Sequence, residues 1–582
     1  MTAAFRREGW IGLGAVLLLG LGTYRAASLA WVCDDAFISI RYAENLVDGL
    51  GLVYNAGERV EGYTNLLWTL MLAAAMKFGA PPVATAKLLG VLCYLALAGC
   101  LFQWSRVQAR QDDRWPLPLA AGLVLVSADF HVWATGGLET MLFTALAVPA
   151  LLLTRSRAAD RSAALLSGGL LALLVLTRLD GVLLAGAAAV SWWLPMDARP
   201  REERARLSLL TLAPVVVVLA ALLPWKLAYY GDIFPTAFYS KSVLDPYVSQ
   251  GLVYLGLFIA TNWILVAALA LLALPLRENP VRTRWDNRFL LASAALYAAY
   301  VVSVGGDFMA SRRLIPVAPL LFVVIESRLN RVLAPRARTS VAFAALLLAA
   351  IPFSIFQGYA RIEGVADERR FYPAEMIEAR RRQAETVGPA LAGTGARVAF
   401  EGGMCAFGYY SRLPYLVEIT GLTQYSLAKL PLEARGTVGH EKTANAEWLT
   451  QNDIHFVVSQ AEPPIERPSG PRRFDAVYFG DVARARIHLY SDAVMDPLRE
   501  RPDVDFVPIE RVLQNSRRQL QAASPSEAAE LYETLDRYYF QHAGVRGEKL
   551  GKEFRSLVER KNDNARDAIG LRERGEVAPN SP

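Results

Sequence analysis

The chain has 582 residues, 53% of them hydrophobic, with 61 Lys and Arg against 55 Asp and Glu, a net charge of +6 and a pI near 9.0. The basic excess comes largely from Arg in short loops between apolar runs, which excludes nucleic acid as a partner and places the chain among membrane proteins. Its four cysteines, Cys33, Cys93, Cys100 and Cys405, lack metal-ligand spacing, and two lie inside apolar runs. Cys33 and Cys405 could share an oxidising compartment, but no disulfide between them is expected.

In chain order, Ile11 to Val32 is a long apolar run without a small-residue cleavage site, so it reads as a retained first span. Apolar stretches, each close to the roughly 20 residues that cross a bilayer as a helix, then follow one another to about Gln357. From Gly358 onward the chain is charged and mixed. The expected fold is a polytopic α-helical membrane domain over residues 1–357, followed by a mixed α/β soluble domain over 358–582 with a flexible tail from about 565.

Arg-rich loops mark the cytoplasmic side: Arg6 and Arg7; Arg106, Arg110 and Arg114; Arg155, Arg157 and Arg161; Arg199 to Arg206; Arg277 to Arg288; Arg328 to Arg338. For the loop at Arg106 to be inside, Thr64 to Ser105 must make one net crossing, its first run of about 17 residues being a short re-entrant helix. This gives eleven crossings of the plasma membrane, with the N-terminus inside and the soluble domain outside; twelve crossings would put that domain in the cytoplasm.

The chemically unusual residues gather in the other loops. The first external loop, residues 33–63, opens on the acidic pair Asp34 and Asp35, whose like charges call for cations, a metal or a reacting substrate. Phe37, Ile38, Ile40, Leu46 and Val47 fit one side of a short amphipathic helix, with Arg41, Glu44 and Asp48 toward water and Gly49 and Gly51 ending it. Glu58, Arg59 and Glu61 follow, just ahead of Asn65. Alone they are a solvated turn; beside the acidic pair they suit an acceptor site.

Glu139 in ATGGLET, and Arg178 with Asp180 in LTRLDG, interrupt apolar runs at two more external turns. Then YYGDIFPTAFYSK supplies Tyr239 and Lys241, either an interfacial aromatic belt or a platform for a lipid phosphate. In GGDFMASRR, Asp307, Arg312 and Arg313 stand outside against the usual bias of Arg, so they call for an ion pair or a phosphate. A carboxylate that takes a hydroxyl proton, with cations that stabilise a departing phosphate, suits glycosyl transfer from a lipid phosphate.

These motifs, in the order DDAFISIRYAENL, GLVYNAGERVEGYTN, ATGGLET, TRLDG, YYGDIFPTAFYSK, GGDFMASRRLIP and VADERRFY, resemble the terminal arabinofuranosyltransferases of mycobacterial cell-wall synthesis, the AftB family of the GT-C class. The likeness runs from Asp34 to about Tyr372, with GYYSRLPYLVEITGLTQ beyond it. It implies that Asp34 and Asp35 are the catalytic acidic pair, that the donor is of the decaprenylphosphoryl arabinose type, and that the acceptor is an arabinan at the outer membrane face. Leu179 and Asp180 stand where the family more often has Pro and Glu, which bears on the sugar rather than the class.

The assignment that follows gives Asp34 or Asp35 the base role. Tyr239, Lys241, Asp307, Arg312 and Arg313 form the donor phosphate site, and Arg41, Glu58, Arg59, Glu61, Asn65, Glu139, Arg178 and Asp180 shape the acceptor site. No motif calls for a cofactor; a divalent cation on Asp34 and Asp35 stays open, with no His or further acid at ligand spacing to favour it. Anomeric configuration is not readable, since it depends on carboxylate geometry around the sugar.

In the soluble domain Ala396 to Phe400 and His455 to Ser459 read as strands, and Arg369 to Ala384 and Pro525 to Arg537 as helices, for a role in holding the polymeric acceptor. The alternatives are a transferase using another polyprenyl-phosphate sugar, a flippase for lipid-linked sugar, or an envelope assembly factor. A flippase should carry ionisable groups within spans and internal repeats, and an assembly factor has no use for the acidic pair.

Overall fold

The computed structural model describes residues 2–111, 117–155, 160–194, 199–262, 281–351, 355–356, 360–461, 463–465 and 473–575. The chain divides into two compact units, Met1–Ile377 with Thr420–Lys442, and Glu378–Ile419 with Thr443–Pro582. The expected boundary at 357/358 lies outside the described residues; the units part after Ile377, and a stretch from the C-terminal half belongs to the first unit.

The first unit is helical: α1 (Thr2–Ser28), α2 (Ala36–Val47), α3 (Leu66–Lys77), α4 (Pro82–Gln111), α5 (Leu119–Val126), α6 (Ala128–Thr135), α7 (Thr140–Arg155), α8 (Arg161–Thr177), α9 (Val182–Ser191), α10 (Arg201–Tyr230), α11 (Thr236–Ser240), α12 (Val248–Thr261), α13 (Val281–Ser303), α14 (Val317–Val332) and α15 (Pro335–Ala350). Among the described residues two helices, Pro82–Arg110 and Arg201–Tyr230, are long and apolar enough to cross a bilayer. The pair α6 and α7, bent by 120°, makes a third if taken as one span. Helix α3, with 12 residues, is about 18 Å long, shorter than a bilayer crossing. The apolar run 263–280 and the expected loop residues Arg114 and Arg157 lie outside the described residues.

Helix α8 packs against α7 and α10, and α4 against α7. Helix α10 stops at Gly231, whose φ of +71° closes it in the left-handed conformation that glycine adopts without strain, its N–H reaching Leu227 O. The expected amphipathic helix is α2, but Arg41 does not face water. Its Nε donates to Tyr54 O at 2.8 Å and its guanidinium lies over the Tyr54 ring, so the loop after α2 folds back onto it.

A two-stranded hairpin, β1 (Arg361–Ile362) and β2 (Val365–Ala366), follows the last apolar helix. The second unit holds a six-stranded sheet in the order β4-β3-β5-β7-β6-β8, with β3 (Val398–Phe400), β4 (Leu416–Glu418), β5 (Phe456–Val458), β6 (Ala476–Phe479), β7 (Ala483–Ile487) and β8 (Val504–Phe506). Strands β3, β4 and β5 are mutually parallel and buried, and the rest are antiparallel. The two expected strands are β3 and β5, paired Val398 to Phe456.

The expected helix over 369–384 is broken in two, Glu368–Phe371 and Ala374–Leu391, around Pro373, which cannot extend a preceding helix. The helix expected from Pro525 is Pro525–Leu535, started by a capping box from Ser524 and Glu527. The last helix, Gly544–Gly575, runs through the first part of the stretch expected to be a flexible tail, and 576–582 lie outside the described residues.

Candidate active site

The acidic pair sits on the turn between α1 and α2, and that turn, together with α3, is tied to α6 and the loop after it. Cys33 N–H donates to Gly136 O at 2.9 Å, Trp68 Nε1 to Gly137 O at 3.1 Å, and Trp31 Nε1 to Val132 O at 2.8 Å. Gly137 makes this approach feasible: its φ is +81°, and a Cβ there would stand 3.1 Å from the Ala36 side chain. The loop's next polar residue, Glu139, is thereby brought beside the acidic turn.

Glu139 is wholly buried and is the hub of a charge network. Its Oε1 takes Arg312 Nη2 at 3.0 Å and Arg178 Nη1 at 3.1 Å, and its Oε2 takes Asn65 Nδ2 at 2.9 Å. Asn65 is fixed in turn, its Oδ1 accepting from the Ser39 and Thr69 hydroxyls at 3.0 Å each. Arg178 forks onto Asp180 at 3.2 and 2.9 Å, and Arg313 approaches the same carboxylate at 3.5 Å. Asp307 is shared by Lys241 at 3.4 Å and Arg312 at 3.7 Å.

The loop carrying Asp307, Arg312 and Arg313 is pinned by Ala310 N–H to Ala366 O, Trp133 Nε1 to Ala310 O, and the Tyr254 hydroxyl, which donates to Met309 O and accepts from Arg313 N–H. Five of the loops read as external from the sequence therefore converge. The arginines read as external from the sequence already hold carboxylate partners, so both sequence alternatives, ion pairing and a cationic site, meet in one cluster: Arg178, Lys241, Arg312 and Arg313 against three carboxylates, Glu139, Asp180 and Asp307.

The electrostatic outcome differs by residue. Burial pushes Glu139 up, but Arg312 and Arg178, aided by the Asn65 hydrogen bond, outweigh it and hold the carboxyl at about 2. Asp307 follows the same balance: burial raises it, while Lys241, Arg312 and Arg313 bring it to about 2. Asp35 goes the other way. Burial and then the charge of Asp34 raise it to about 6, against the pull of Arg312 and Lys241.

These groups surround a cavity of about 480 Å³. Asp35, Arg178, Asp180, Lys241, Arg312 and Arg313 line it, together with Glu61 and Asn65. Its remaining wall is mostly apolar, with Leu138, Val175, Leu176, Leu219, Leu222 and Phe238 among the contributors. Asp35 is part-exposed into this space, whereas Asp34 is 1% exposed and does not line it. The structure thus separates two aspartates that the sequence left equivalent.

Other expected site residues fall elsewhere. Tyr239 donates to both oxygens of Asp232 at 2.8 and 3.0 Å, beside Lys429, and does not line the cavity. Arg41 is taken up by Tyr54, Glu58 accepts from Asn55 and from Gln424 at 2.7 Å, and Arg59 lies over the Tyr229 ring. None of the three lines the cavity. Glu139 and Asp307 stand behind the wall, holding the arginines and Lys241.

Sequence reading missed Lys226, on α10, which pairs with Glu61 at 2.9 Å and lines the cavity. The signal was one Lys in the long apolar helix, in PWKLAYY, an ionisable group within a span. It also missed Thr420–Lys442, which contributes Leu422 and Gly439 to the wall. That segment is fastened to α11 and its flanks: the Thr236 hydroxyl donates to Leu422 O, the Ser240 hydroxyl to Thr420 O, Lys429 pairs with Asp232 at 2.7 Å, and Lys442 Nζ donates to Tyr239 O at 2.8 Å. Asp34 and Asp35 are the hard oxygen donors that a divalent ion would take, although the cations beside Asp35 already oppose its charge.

No family model matches the chain. A curated protein of Mycobacterium tuberculosis named terminal beta-(1->2)-arabinofuranosyltransferase is 28% identical over 431 residues, covering 62% of this chain and 65% of its own length. One of the same name from Corynebacterium glutamicum is 28% identical over 363 residues, covering 53% and 50%. This chain is similar to terminal arabinofuranosyltransferases. It spans less than two thirds of the length of these relatives. Among solved structures, ArnT from Cupriavidus metallidurans matches with a TM-score of 0.48 at 14% identity, over 78% of this chain and 93% of that one. Arabinofuranosyltransferase AftD from mycobacteria matches with a TM-score of 0.43 at 16% identity, over 78% and 36%.

Proposed function

We propose that the protein is a membrane glycosyltransferase that moves arabinofuranose from a polyprenyl-phosphate donor to a cell-envelope glycan at the outer face of the plasma membrane. The observation that carries this reading is the cavity itself, in which the part-exposed carboxylate of Asp35, five cationic side chains and an apolar wall share one space. The sugar follows the names of the two arabinofuranosyltransferase relatives.

In this reading the prenyl chain lies against the apolar wall, and Lys241, Arg312 and Arg313 face the phosphate. Asp35 accepts the proton of the attacking hydroxyl, the hydroxyl oxygen bonds to the anomeric carbon, and the bond from that carbon to the phosphate oxygen breaks with its electron pair going to the phosphate. Asp35 titrates at about 6, so it is ionised at neutral pH and basic enough to take the proton. Glu139, Asp180 and Asp307 hold the cations in place. The eleven crossings, the external soluble domain and its part in holding the polymer belong to the same proposal.

The test is transfer by the purified protein from synthetic polyprenyl-phosphate arabinofuranose to an oligoarabinoside, beside the Asp35→Asn variant. Transfer that disappears with the variant is the expected result. Undiminished transfer would overturn the role of Asp35, and preference for a different polyprenyl-phosphate sugar would overturn the sugar.

A further inference from the structure

The cavity has a second charged station that the phosphate-facing cluster does not use. Glu61 and Lys226 pair at 2.9 Å, each 3% exposed overall, and both line the cavity. On the same helix as Lys226, Leu219, Leu222 and Leu223 also line it, so the pair stands in an otherwise apolar wall. Such a pair is a weak source of stability, because desolvating two charges costs about as much as their attraction returns, and well-packed apolar residues serve as well.

The loop carrying Glu61 is also held by contacts that do not involve its side chain. The loop is placed by its backbone and by Tyr42: Thr236 N–H donates to Glu61 O at 2.9 Å, Gly62 N–H to the Tyr42 hydroxyl at 2.7 Å, and that hydroxyl to Val60 O at 2.6 Å. The pair sets one carboxyl against one ammonium, unlike the cation-rich cluster around Arg312. A carboxylate that accepts hydroxyl protons beside an ammonium that donates to hydroxyl oxygens matches a neutral polyol rather than a phosphate. The loop carrying Glu61 is exposed at Arg59 and at Thr64, and Thr64 lines the cavity, so this end opens toward the side from which a water-soluble glycan arrives.

We infer that Glu61 and Lys226 are the acceptor-recognition pair, which opens to take hydroxyl groups of the acceptor saccharide while the donor phosphate is held at Lys241, Arg312 and Arg313. The inference rests on the glycosyl-transfer reading. It makes Glu61 and Lys226 binding residues that act on acceptor affinity, not on bond cleavage.

The deciding variant is the neutral pair Glu61→Gln with Lys226→Met, which leaves no buried charge unpartnered. Acceptor KM should rise about 10- to 100-fold, the range for lost hydrogen bonds to charged groups, with kcat and donor KM little changed. Acceptors lacking single hydroxyls should discriminate among themselves less in the variant than in the unaltered protein. A rise in donor KM with acceptor KM unmoved would overturn the inference, as would no change in either. Should the double variant not fold, Glu61→Asp keeps a carboxylate facing Lys226, withdraws its oxygens by one methylene and serves the same readout. Calorimetric titration with an oligoarabinoside reads the pair without turnover. Acceptor binding that weakens in the variant supports it even if no donor is consumed, and binding that is equal in both sinks it while leaving transfer itself standing.

Discussion

Glu139 and Asp35 are carboxylates on adjoining loops of one cavity wall, and burial pushes both toward the protonated form. They end on opposite sides of the ordinary value, because Glu139 has two arginines and an amide in contact while Asp35 has a like-charged neighbour and more distant cations. The first is fully matched and acts as scaffold. The second is under-matched and part-exposed to the cavity, which is the condition of a group kept for proton transfer. In the proposed reaction the contrast separates residues that position charge from the residue that takes the proton.

The contrast breaks most directly at Asp35. Asp35→Asn should lower transfer by about 10³-fold, within the range of lost general-base catalysis, while the melting temperature holds or rises because a poorly compensated negative charge is removed. Asp34→Asn should cost less turnover, since Asp34 does not line the cavity. A larger loss for Asp34 in a steady-state assay would reverse the assignment.

Glu139→Gln should do the opposite, with a stability loss of about 3–5 kcal/mol in thermal or denaturant unfolding, as expected when a buried charge loses its partner. If the variant melts like the unaltered protein, Glu139 is not scaffold.

A pH series sharpens the comparison without mutation. Asp35 has its folded value raised to about 6, so activity should fall about tenfold per unit as pH drops below 6. For stability the sign is reversed: the charged form of Asp35 is disfavoured on folding, so its contribution improves as pH falls from 6 toward 4. Glu139 is depressed to about 2, so its stabilising contribution is present above about 4.5 and is lost only as pH falls toward 2. Between pH 6 and 4.5 activity should therefore decline in a protein that stays folded, which circular dichroism beside the rate assay can check.

The smallest effects belong to residues outside the wall. Tyr239→Phe should cost about 1 kcal/mol of stability through its lost bonds to Asp232, with donor KM unmoved. A large rise in donor KM would return Tyr239 to the phosphate site.

Much of this was legible in the sequence because the informative residues interrupt apolar runs. A charged turn in a long hydrophobic stretch stands out by composition, and Asp34, Asp35, Glu139, Arg178, Asp180, Lys241, Asp307, Arg312 and Arg313 were all found that way. What was not legible depends on direction. Whether Asp34 or Asp35 faces the cavity is set by the geometry of one turn, and Arg41 was expected in water because the fold-back of Tyr54 has no periodic signature. Lys226 was passed over because its partner Glu61 lies 165 positions away in the chain, and pairing at that separation leaves no local pattern. In the second unit β3 and β5 stood out as buried hydrophobic strands, whereas β7, reading ARARI, alternates Ala with exposed Arg and did not.

The return of Thr420–Lys442 to the first unit bears on how the protein is made. The helices of that unit leave the ribosome long before Leu422 and Gly439 do, and part of the second unit is synthesised in between. At about 5–20 residues per second, the cavity stays unfinished for several seconds after its other walls exist. A nascent chain released early at residue 377 would carry Asp35, Arg178, Lys241, Arg312 and Arg313 and still lack a wall, so the cavity closes only once the chain has been made as far as residue 442.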